Sequence, residues 1–327
     1  MQYRTMKKTG DRLSALGFGC MRLPKKGGAI DEERATRQLR YAIDRGVNYL
    51  DTSWMYGNEA FIGRALADGY REKVKIATKV PLFLIRKRND LDKLLDEQLH
   101  NLQTDHVDYY HFHALSPAAW DRLKGLDVED FVLNAKADGR IRHIGFSSHN
   151  GTVDFKKVVA AYDWDFCLIQ FNILDETNQA GKEGLQHAAA KGLGVVIMEP
   201  LRGGTLARTP SKELQAIWDE ADVKRSPAEW GLRWIWDHPE VTVVLSGMNE
   251  ERHIEENLRV ADEALPRSLT EKEWALISRV KEVYCRQISR SAAPGATTVS
   301  PAPPGSTSPR VSSTTITWAS GVPWRKK

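Results

Sequence analysis

The sequence predicts an α/β protein, a (β/α)8 TIM barrel with an N-terminal β-hairpin and a low-complexity C-terminal tail. Short apolar runs rich in β-branched and aromatic residues alternate with amphipathic helical stretches from about residue 15 to 285. There are eight such runs, and they are apolar almost without interruption, which is typical of parallel strands covered on both faces. Eight strands joined by helices close into a barrel.

Each element follows from its local pattern. The predicted strands, in chain order, are LSALGFG, GVNYLDT, VKIATKV, VDYYHFH, IRHIGFSS, FCLIQFN, GVVIMEP and VTVVLSG. In the helical pattern DEERATRQLRYAIDRG, the apolar residues Ala35, Leu39, Ala42 and Ile43 share one face. Further helices are predicted in EAFIGRALADG, LDKLLDEQLHNLQ, NQAGKEGLQHAAAKG and AEWGLRWIWDHP. The leading QYRTMKKTGDRLSA, with Thr-Gly at its centre, predicts a small hairpin over the bottom of the barrel.

A doubly wound dinucleotide-binding sheet is the competing architecture. That fold requires a glycine-rich turn between its first strand and a helix. The nearest candidate, GFGC at residues 17–20, continues into MRLPKKGG, which is not a helical pattern. The sequence therefore favours the barrel.

Composition sets limits on partners and compartment. The formal net charge of +4 comes from the last 45 residues, which carry +6, so residues 1–282 carry −2 and offer no basic surface for nucleic acid. No run of 18 apolar residues exists, and the first residues lack an apolar signal core, so neither a membrane span nor export is expected. The three cysteines are too scattered for a disulfide framework, which favours a reducing cytoplasm, and no metal site is expected.

The C-terminal segment differs from the rest of the chain. Residues 289–320 consist mainly of Ser, Thr, Pro, Ala and Gly, without strand or helix periodicity. Such a composition does not bury enough apolar surface to offset the entropy of ordering. We therefore predict one barrel domain over residues 1–285 and a disordered Ser/Thr/Pro-rich tail over 286–327, although the length alone would suggest two domains.

Four polar side chains follow three consecutive strands, at the end where such barrels carry their active sites. Asp51 and Tyr56 come after the second strand, Lys79 ends the third and His113 ends the fourth. A tyrosine is a poor proton donor near neutral pH unless a cation stabilises its phenolate. Lys79 can supply that cation, Asp51 can orient the lysine, and His113 can bind a carbonyl oxygen. This set predicts hydride transfer from a reduced nicotinamide to a polarised carbonyl.

Several neighbouring side chains have a structural alternative. His111 and His113 share one face of a strand, and one of them is expected to be a hydrogen-bonded core histidine; His113 lies nearer the C-terminal end of the strand and is the catalytic candidate. Trp54 is predicted to line the substrate site. The other large apolar residues, and the cysteine within a strand, are expected to lie in the core: Met55, Phe83, Trp230, Trp234 and Cys167.

Longer segments around these residues strongly resemble the aldo-keto reductases. The match includes DTSWMYGNEAFIGRAL, KIATKV, VDYYHFH, GRIRHIGFSSHN, IQFN, GVVIMEPLRGG and VTVVLSGMNEERHIEENL, in the family's order, and extends over residues 1–285. The resemblance implies a (β/α)8 barrel that binds a nicotinamide cofactor without a Rossmann domain. It also implies that Asp51, Tyr56, Lys79 and His113 form the catalytic tetrad.

The resemblance further implies cofactor contacts at the ends of later strands. Ser147 matches a serine that binds the carboxamide, and Gln170 matches its glutamine partner. Ser148 stands where many members have Asn, which weakens or rearranges that contact. Met198 replaces an aromatic residue that often stacks on the nicotinamide, and a thioether can still pack there.

The phosphate and adenosine ends of the cofactor have implied contacts as well. The loop expected over the pyrophosphate contains Leu201, Arg202 and Gly203. At the adenosine end the matching positions are Gly247, Arg252, His253, Glu256 and Asn257. Because Arg252 or His253 can pair a 2′-phosphate, NADP(H) is favoured and NAD(H) stays open.

One branch of the family, which HIGFSSHN and MEPLRGG resemble most, continues into a C-x2-C-x2-C-x2-C-P extension that binds an iron–sulfur cluster. This chain has no cysteine after Cys285, so no cluster is expected in the polypeptide as written. Read one base out of register, residues 292–304 permit cysteine at all four places, because Ala and Val codons begin GC and GT. We therefore hypothesise a frameshifted ferredoxin-like extension with the slip near Ser289; the alternative is an ordinary low-complexity tail.

These observations together predict an NAD(P)H-dependent reductase of small or aromatic aldehydes and ketones, in which Tyr56 protonates the carbonyl oxygen. The alternative is a redox-sensing or regulatory nicotinamide-binding subunit with little turnover, which the intact tetrad disfavours. The physiological substrate stays open, since specificity depends on loop shapes that one sequence does not specify. The oligomeric state stays open as well.

Overall fold

The computed structural model describes residues 1–292 of the chain. Residues Met1–Gln287 form one compact unit, and Ile288–Lys327 form a second, of which only the first residues are described. None of the helices in the described residues is both long enough and apolar enough to cross a membrane.

Twelve strands occur in this part of the chain. They are β1 (Tyr3–Thr5), β2 (Arg12–Ser14), β3 (Leu16–Gly19), β4 (Lys25–Lys26), β5 (Ala29–Ile30), β6 (Tyr49–Asp51), β7 (Lys75–Val80), β8 (Val107–Phe112), β9 (Ile141–Ser148), β10 (Phe166–Gln170), β11 (Gly194–Met198) and β12 (Val243–Ser246). Strands β3 and β6–β12 close into one parallel barrel in chain order, which confirms all eight predicted barrel strands.

Helices connect the barrel strands and cover their outer face. They are α1 (Glu32–Asp44), α2 (Glu59–Ala65), α3 (Arg88–Leu102), α4 (Pro117–Lys124), α5 (Val128–Ala137), α6 (Thr152–Ala160), α7 (Gly181–Ala190), α8 (Lys212–Trp218), α9 (Pro227–Trp236), α10 (Glu251–Glu263) and α11 (Glu271–Ala292). Local sequence explains their starts. Asp31 caps α1 by accepting a hydrogen bond from the backbone amide of Arg34, and Ser226 caps α9 directly before a proline in the first turn.

The last helix corrects the predicted boundary between barrel and tail. Helix α11 continues through residues 286–292, which were expected to be disordered. The reason is local, because the sequence contains no Gly or Pro between Pro266 and Pro294 that would end a helix. The remainder of the predicted tail lies outside the described residues.

The N-terminal hairpin closes the bottom of the barrel, as predicted. Strands β1 and β2 pair antiparallel, and Met6 and Leu13 of this hairpin pack into the barrel interior with Tyr109. The hydroxyl of Tyr109 donates to the Asp11 carboxylate at 2.6 Å. The bottom of the barrel is therefore filled by protein, and a ligand can enter only from the other end.

The barrel interior changes from apolar to polar toward its open end. Side chains of a strand alternate between the interior and the helical layer, so residues two apart line the same face. The interior positions Tyr49 and Ala77 belong to an apolar cluster. Two residues further along the same strands stand Asp51 and Lys79, both buried. This pattern places ionisable side chains at the C-terminal ends of the strands, where barrels of this type build their sites.

Candidate active site

The four predicted catalytic residues lie at the C-terminal ends of three neighbouring strands. Asp51 is the last residue of β6, Lys79 is the fifth residue of β7, and His113 directly follows β8. Tyr56 lies in the 3-10 turn Trp54–Tyr56 after β6.

Asp51 and Lys79 form a buried ion pair. Lys79 Nζ donates to Asp51 Oδ1 at 2.5 Å and to the Thr52 carbonyl oxygen at 2.7 Å. Burial has the largest single effect on the pKa of Lys79 and lowers it, but the charges and hydrogen bonds of Asp51 and Tyr56 together outweigh burial and hold that pKa above its ordinary value. Lys79 is therefore a fixed cation across the neutral pH range.

That cation lies beside Tyr56. Lys79 Nζ is 5.2 Å from the centre of the Tyr56 ring. Burial raises the pKa of Tyr56 above its ordinary value, and the charge of Lys79 opposes the rise. The short turn that carries the ring is held by Ser53, whose hydroxyl accepts from the Met55 amide, and ends at Gly57 in the left-handed conformation with φ of 64°. Glycine adopts that conformation without strain.

Two buried amide side chains fix the backbone around this pair, and the sequence reasoning missed both. Asn58 Oδ1 accepts from Thr52 Oγ1 at 2.6 Å, and its Nδ2 donates to the Cys20 carbonyl at 2.7 Å. On the outer face of β7, Gln98 Nε2 donates to the Lys79 carbonyl at 3.2 Å and to Glu59 Oε1 at 2.8 Å. The signal that could have found Asn58 is the Asn-Glu pair directly after Tyr-Gly, because polar residues of this kind are typical of the start of a helix, and helix α2 begins there.

The two histidines differ in their surroundings. His113 Nδ1 lies 3.4 Å from the Ser53 hydroxyl, and burial together with Lys79 lowers the pKa of His113 to about 4. This histidine is therefore a neutral hydrogen-bonding group at neutral pH. His111 is fully buried, but the expectation of a hydrogen-bonded core histidine is wrong, since neither ring nitrogen has a partner.

Apolar side chains surround the mouth of the site. Trp54 is half-buried, its Nε1 donates to Glu97 at 3.1 Å, and its ring meets Phe83 edge to face at 6.5 Å. The expectation that Met55 and Phe83 lie in the core is wrong, because they are 53% and 57% exposed. Both follow barrel strands in short 3-10 turns that project them outward. Trp230 and Trp234 are buried, as expected.

The predicted carboxamide contacts lie on the next strands around the barrel. Ser147 is buried, and its hydroxyl accepts from the Ala114 amide at 2.8 Å, which leaves its own proton for another acceptor. Ser148 accepts from Asn150 Nδ2 at 2.8 Å. Gln170 donates to Asp175 at 2.9 Å and accepts from Gln179 at 2.5 Å, so its amide is held by two residues that the sequence reasoning missed.

Met198 ends β11 and is partly buried at the open end, and the loop that follows carries the predicted phosphate-binding segment. Gly203 has φ of 64°, and Leu201 packs against Gly231 of α9. Arg202 Nε lies 3.2 Å from the Asp175 carboxylate. The sequence reasoning also missed Arg22, an exposed guanidinium 3.5 Å from the Gly203 carbonyl.

The residues predicted at the adenosine end lie around the start of α10. Gly247 borders the Arg22 side chain, since a Cβ there would come within 3.4 Å of Arg22 Cβ. Arg252 is exposed and pairs with Glu250 at 2.7 Å, and His253 follows in the same turn. The last two predicted contacts have protein partners: Glu256 accepts from Ser226, and Asn257 donates to Ser246 at 2.8 Å.

The site thus combines two kinds of binding group around one buried cation. Hydroxyl and amide groups lie at the ends of β9 and β10, and two guanidinium groups flank the Gly203 loop. Such a donor set suits a ligand with an amide at one end and phosphates further out. Within residues 1–292, no cluster of His, Cys, Asp and Glu has the geometry of a metal site.

Comparison with known proteins finds relatives of similar sequence and fold. The L-galactose dehydrogenase of Arabidopsis thaliana is 26% identical over 300 residues, which cover 80% of this chain and 89% of that protein. The aldo-keto reductase yakc [NADP(+)] of Schizosaccharomyces pombe is 28% identical over 221 residues, 63% of each chain. The solved structure of aldo-keto reductase AKR11C1 from Bacillus halodurans, in its holo form, superposes with a TM-score of 0.70 at 27% identity and covers 86% of this chain and 96% of that one.

A family model also matches most of the chain. The model described as "Aldo/keto reductase family" matches residues 15–282, a range that includes the whole barrel and every residue of the site. Because the closed barrel and the site at its open end occur within that same range, sequence and structure lead to one assignment: the chain belongs to the aldo-keto reductase family.

Proposed function

We propose that this protein is an NAD(P)H-dependent reductase that converts aldehydes and ketones to alcohols, with Tyr56 as the general acid. The observation that carries the proposal is the buried Asp51–Lys79 pair beside Tyr56. A buried ion pair is costly to desolvate and adds little net stability to a fold, so its place at the open end of the barrel favours a catalytic role.

The residues present fit a nicotinamide dinucleotide. Ser147 and Gln170 would hold its carboxamide, Met198 would pack against the ring, and Arg22 and Arg202 would pair its pyrophosphate. When bound, the reduced cofactor supplies a hydride to the carbonyl carbon. The name of the yakc relative and the exposed Arg252 support NADP(H), while NAD(H) stays open.

The chain's own residues account for the rest of the chemistry. His113, neutral because its pKa lies near 4, donates a hydrogen bond that orients the carbonyl oxygen. Tyr56 gives its proton to that oxygen, and the phenolate that develops is stabilised by Lys79. Asp51 keeps Lys79 charged and in place. Together these four residues supply orientation, a proton and electrostatic stabilisation.

The mouth of the site supports apolar or aromatic substrates. Trp54 and Phe83 form an edge-to-face pair, and Met55 is exposed beside them on the same turn as Trp54. Aromatic and thioether side chains bind planar apolar groups well. We expect aromatic aldehydes to react with a lower KM than small polar ones.

We propose that residues 1–285 carry the whole activity and that the protein acts in the cytoplasm, which the small number and wide spacing of its three cysteines support. We also propose that residues 286–327 derive from a frameshifted iron–sulfur extension, which rests on the codon argument alone. Sequencing the gene around Ser289 decides that point, because an in-frame read without a one-base change excludes it.

A panel of carbonyl compounds tests the proposed function. NADPH and NADH oxidation at 340 nm would be followed with aromatic and aliphatic aldehydes and ketones, with Tyr56→Phe as the control. We expect turnover with wild type and almost none with the variant. Tight cofactor binding with negligible wild-type turnover would instead favour the regulatory subunit.

A further inference from the structure

One buried histidine lies beneath the catalytic tetrad and has no role in the mechanism above. The His111 side chain is completely buried in the barrel interior, and neither Nδ1 nor Nε2 has a hydrogen-bond partner. Asp51 Oδ2, the carboxylate oxygen that does not bind Lys79, also lacks a partner. His111 Nε2 and Asp51 Oδ2 are 3.9 Å apart.

Two unpartnered polar groups facing each other in a protein interior call for an explanation. Buried polar atoms are almost always hydrogen-bonded, because leaving one unpaired costs most of its desolvation energy. An apolar side chain at position 111 would fill the same space without that cost. The imidazole is therefore expected to do something that an apolar residue there does not.

Residues of the neighbouring strands β9 and β10 hold the His111 ring toward Asp51. His111 on β8 pairs in register with Gly145 on β9, and its ring meets Phe166 edge to face at 4.6 Å. A Cβ at Gly145 would lie only 2.6 Å from the Phe166 ring, so glycine is required for this packing. The ring is thereby held between Phe166 and the polar layer above it.

The charge states of His111 and Asp51 determine which of the two donates a hydrogen bond to the other. The ionisable groups next to His111 are Asp51 at 3.9 Å, Lys79 in register on β7, and His113 two residues further along the chain. Tyr49 and Tyr109 lie in the same interior cluster as Phe166, which the His111 ring contacts. Burial, and then the positive charge of Lys79, lower the pKa of His111 well below its ordinary value, so the imidazole is neutral and carries one N–H. An ionised carboxylate only accepts, so the proton must be on the nitrogen that faces Asp51.

We propose that His111 is a positioning residue whose Nε2–H donates to Oδ2 of Asp51, directly or through one water, and so fixes the carboxylate that holds Lys79. The proposal rests on the catalytic role of the tetrad given above. Asp51 then has one oxygen bound to Lys79 and the other to His111, and its carboxylate cannot rotate away from the lysine. The contact also stabilises the ionised form of Asp51 against its burial.

Nitrogen NMR tests the contact without any activity measurement. Full-length protein labelled with 15N-histidine would be recorded from pH 5 to 9, with the His111 signals assigned from their loss in His111→Gln. We expect a neutral His111 with its proton on Nε2 throughout. In Asp51→Asn, the amide NH2 would face His111, and the proton should move to Nδ1. A proton on Nδ1 in wild type, or a free titration near pH 6.5, would overturn the proposal.

Steady-state kinetics test the effect of the His111–Asp51 contact on catalysis. We expect His111→Leu to lower kcat about tenfold, the loss typical of a hydrogen bond to a charged group, with less than about a twofold change in cofactor Kd. Losing a donor to the ionised form raises the pKa of Asp51, so the acidic limb of the kcat profile should move up by about one pH unit. His111→Gln retains an N–H, so its kcat and the position of its acidic limb should both lie close to those of the wild type.

A matched control separates positioning from packing. His143→Leu also removes a barrel-lining imidazole, but near the bottom, where His143 lies 3.3 Å from Asp11. It should leave the kcat profile unchanged. Equal shifts in both variants, or none in His111→Leu, would refute the positioning role. If wild type reduces no carbonyl, the proposed function fails, and the NMR result alone decides the His111 contact.

Discussion

Replacing Lys79 by Met tests the electrostatic core of the mechanism. The substitution keeps the length of the side chain and removes the cation 2.5 Å from Asp51 Oδ1 and 5.2 Å from the centre of the Tyr56 ring. Without that charge the phenolate that develops on Tyr56 loses its stabilisation, and the pKa of the phenol rises. The direction of this change follows from the structure, since the charge and hydrogen bond of Lys79 lower the pKa of Tyr56 in the wild-type protein.

The magnitude follows from the distance. At an effective dielectric constant of about 20, a unit charge roughly 5 Å away contributes about 3 kcal/mol, which corresponds to about a 200-fold loss of kcat. The same change leaves Asp51 buried without its partner, and breaking a buried pair costs about 3 to 5 kcal/mol of folding stability. Steady-state kinetics and urea unfolding would measure the two effects separately.

The double variant Lys79→Met with Asp51→Asn distinguishes catalysis from folding. Asparagine removes the uncompensated charge, so most of the lost stability should return while kcat stays low. Recovery of kcat together with stability would refute the reasoning, because it would show that Lys79 matters only for the fold.

Further predictions concern single groups of the site. Tyr56→Phe should lower kcat by about 10³-fold, and cofactor titration by fluorescence should show an unchanged Kd. Because the pKa of His113 is about 4, KM for the carbonyl should stay constant from about pH 5 to 8, and an inflection near pH 6.5 would contradict its neutral state. Arg22→Met should weaken NADPH binding about tenfold at unchanged saturating kcat. Arg252→Ala should raise Kd for NADPH about tenfold and leave NADH unaffected; equal effects would exclude contact with the 2′-phosphate.

Most of the fold could be predicted because its signals are local. The barrel strands are continuous apolar runs, and the hairpin has Thr9-Gly10 at its turn. Both signals depend on burial and backbone geometry within a few residues. The Asp51–Lys79 pair was predicted for a similar reason, since the C-terminal ends of neighbouring parallel strands lie at the same edge. The helix beyond residue 285 was missed because the low-complexity composition after Ser289 dominated the interpretation.

Contacts between distant loops could not be predicted. Gln170 was matched by its residue type, but its partners Asp175 and Gln179 depend on how the loop after β10 folds back. The exposure of Phe83 depends on a short turn whose sequence is apolar and therefore resembles core. The sequence also does not show that the ring nitrogens of His111 lack hydrogen-bond partners. Their surroundings depend on how strands β8 and β9 pair in the assembled interior.

Single-turnover transfer of an isotopic label tests the central claim most directly. Wild-type protein loaded with NADPH carrying deuterium at the hydride position would be mixed with an aromatic aldehyde, and the product alcohol analysed by mass spectrometry. We predict one deuterium on the alcohol carbon, formed about 10³-fold more slowly in Tyr56→Phe. An alcohol without the label, or equal rates for the two proteins, would contradict the assignment of Tyr56 as the proton donor in hydride transfer to a carbonyl.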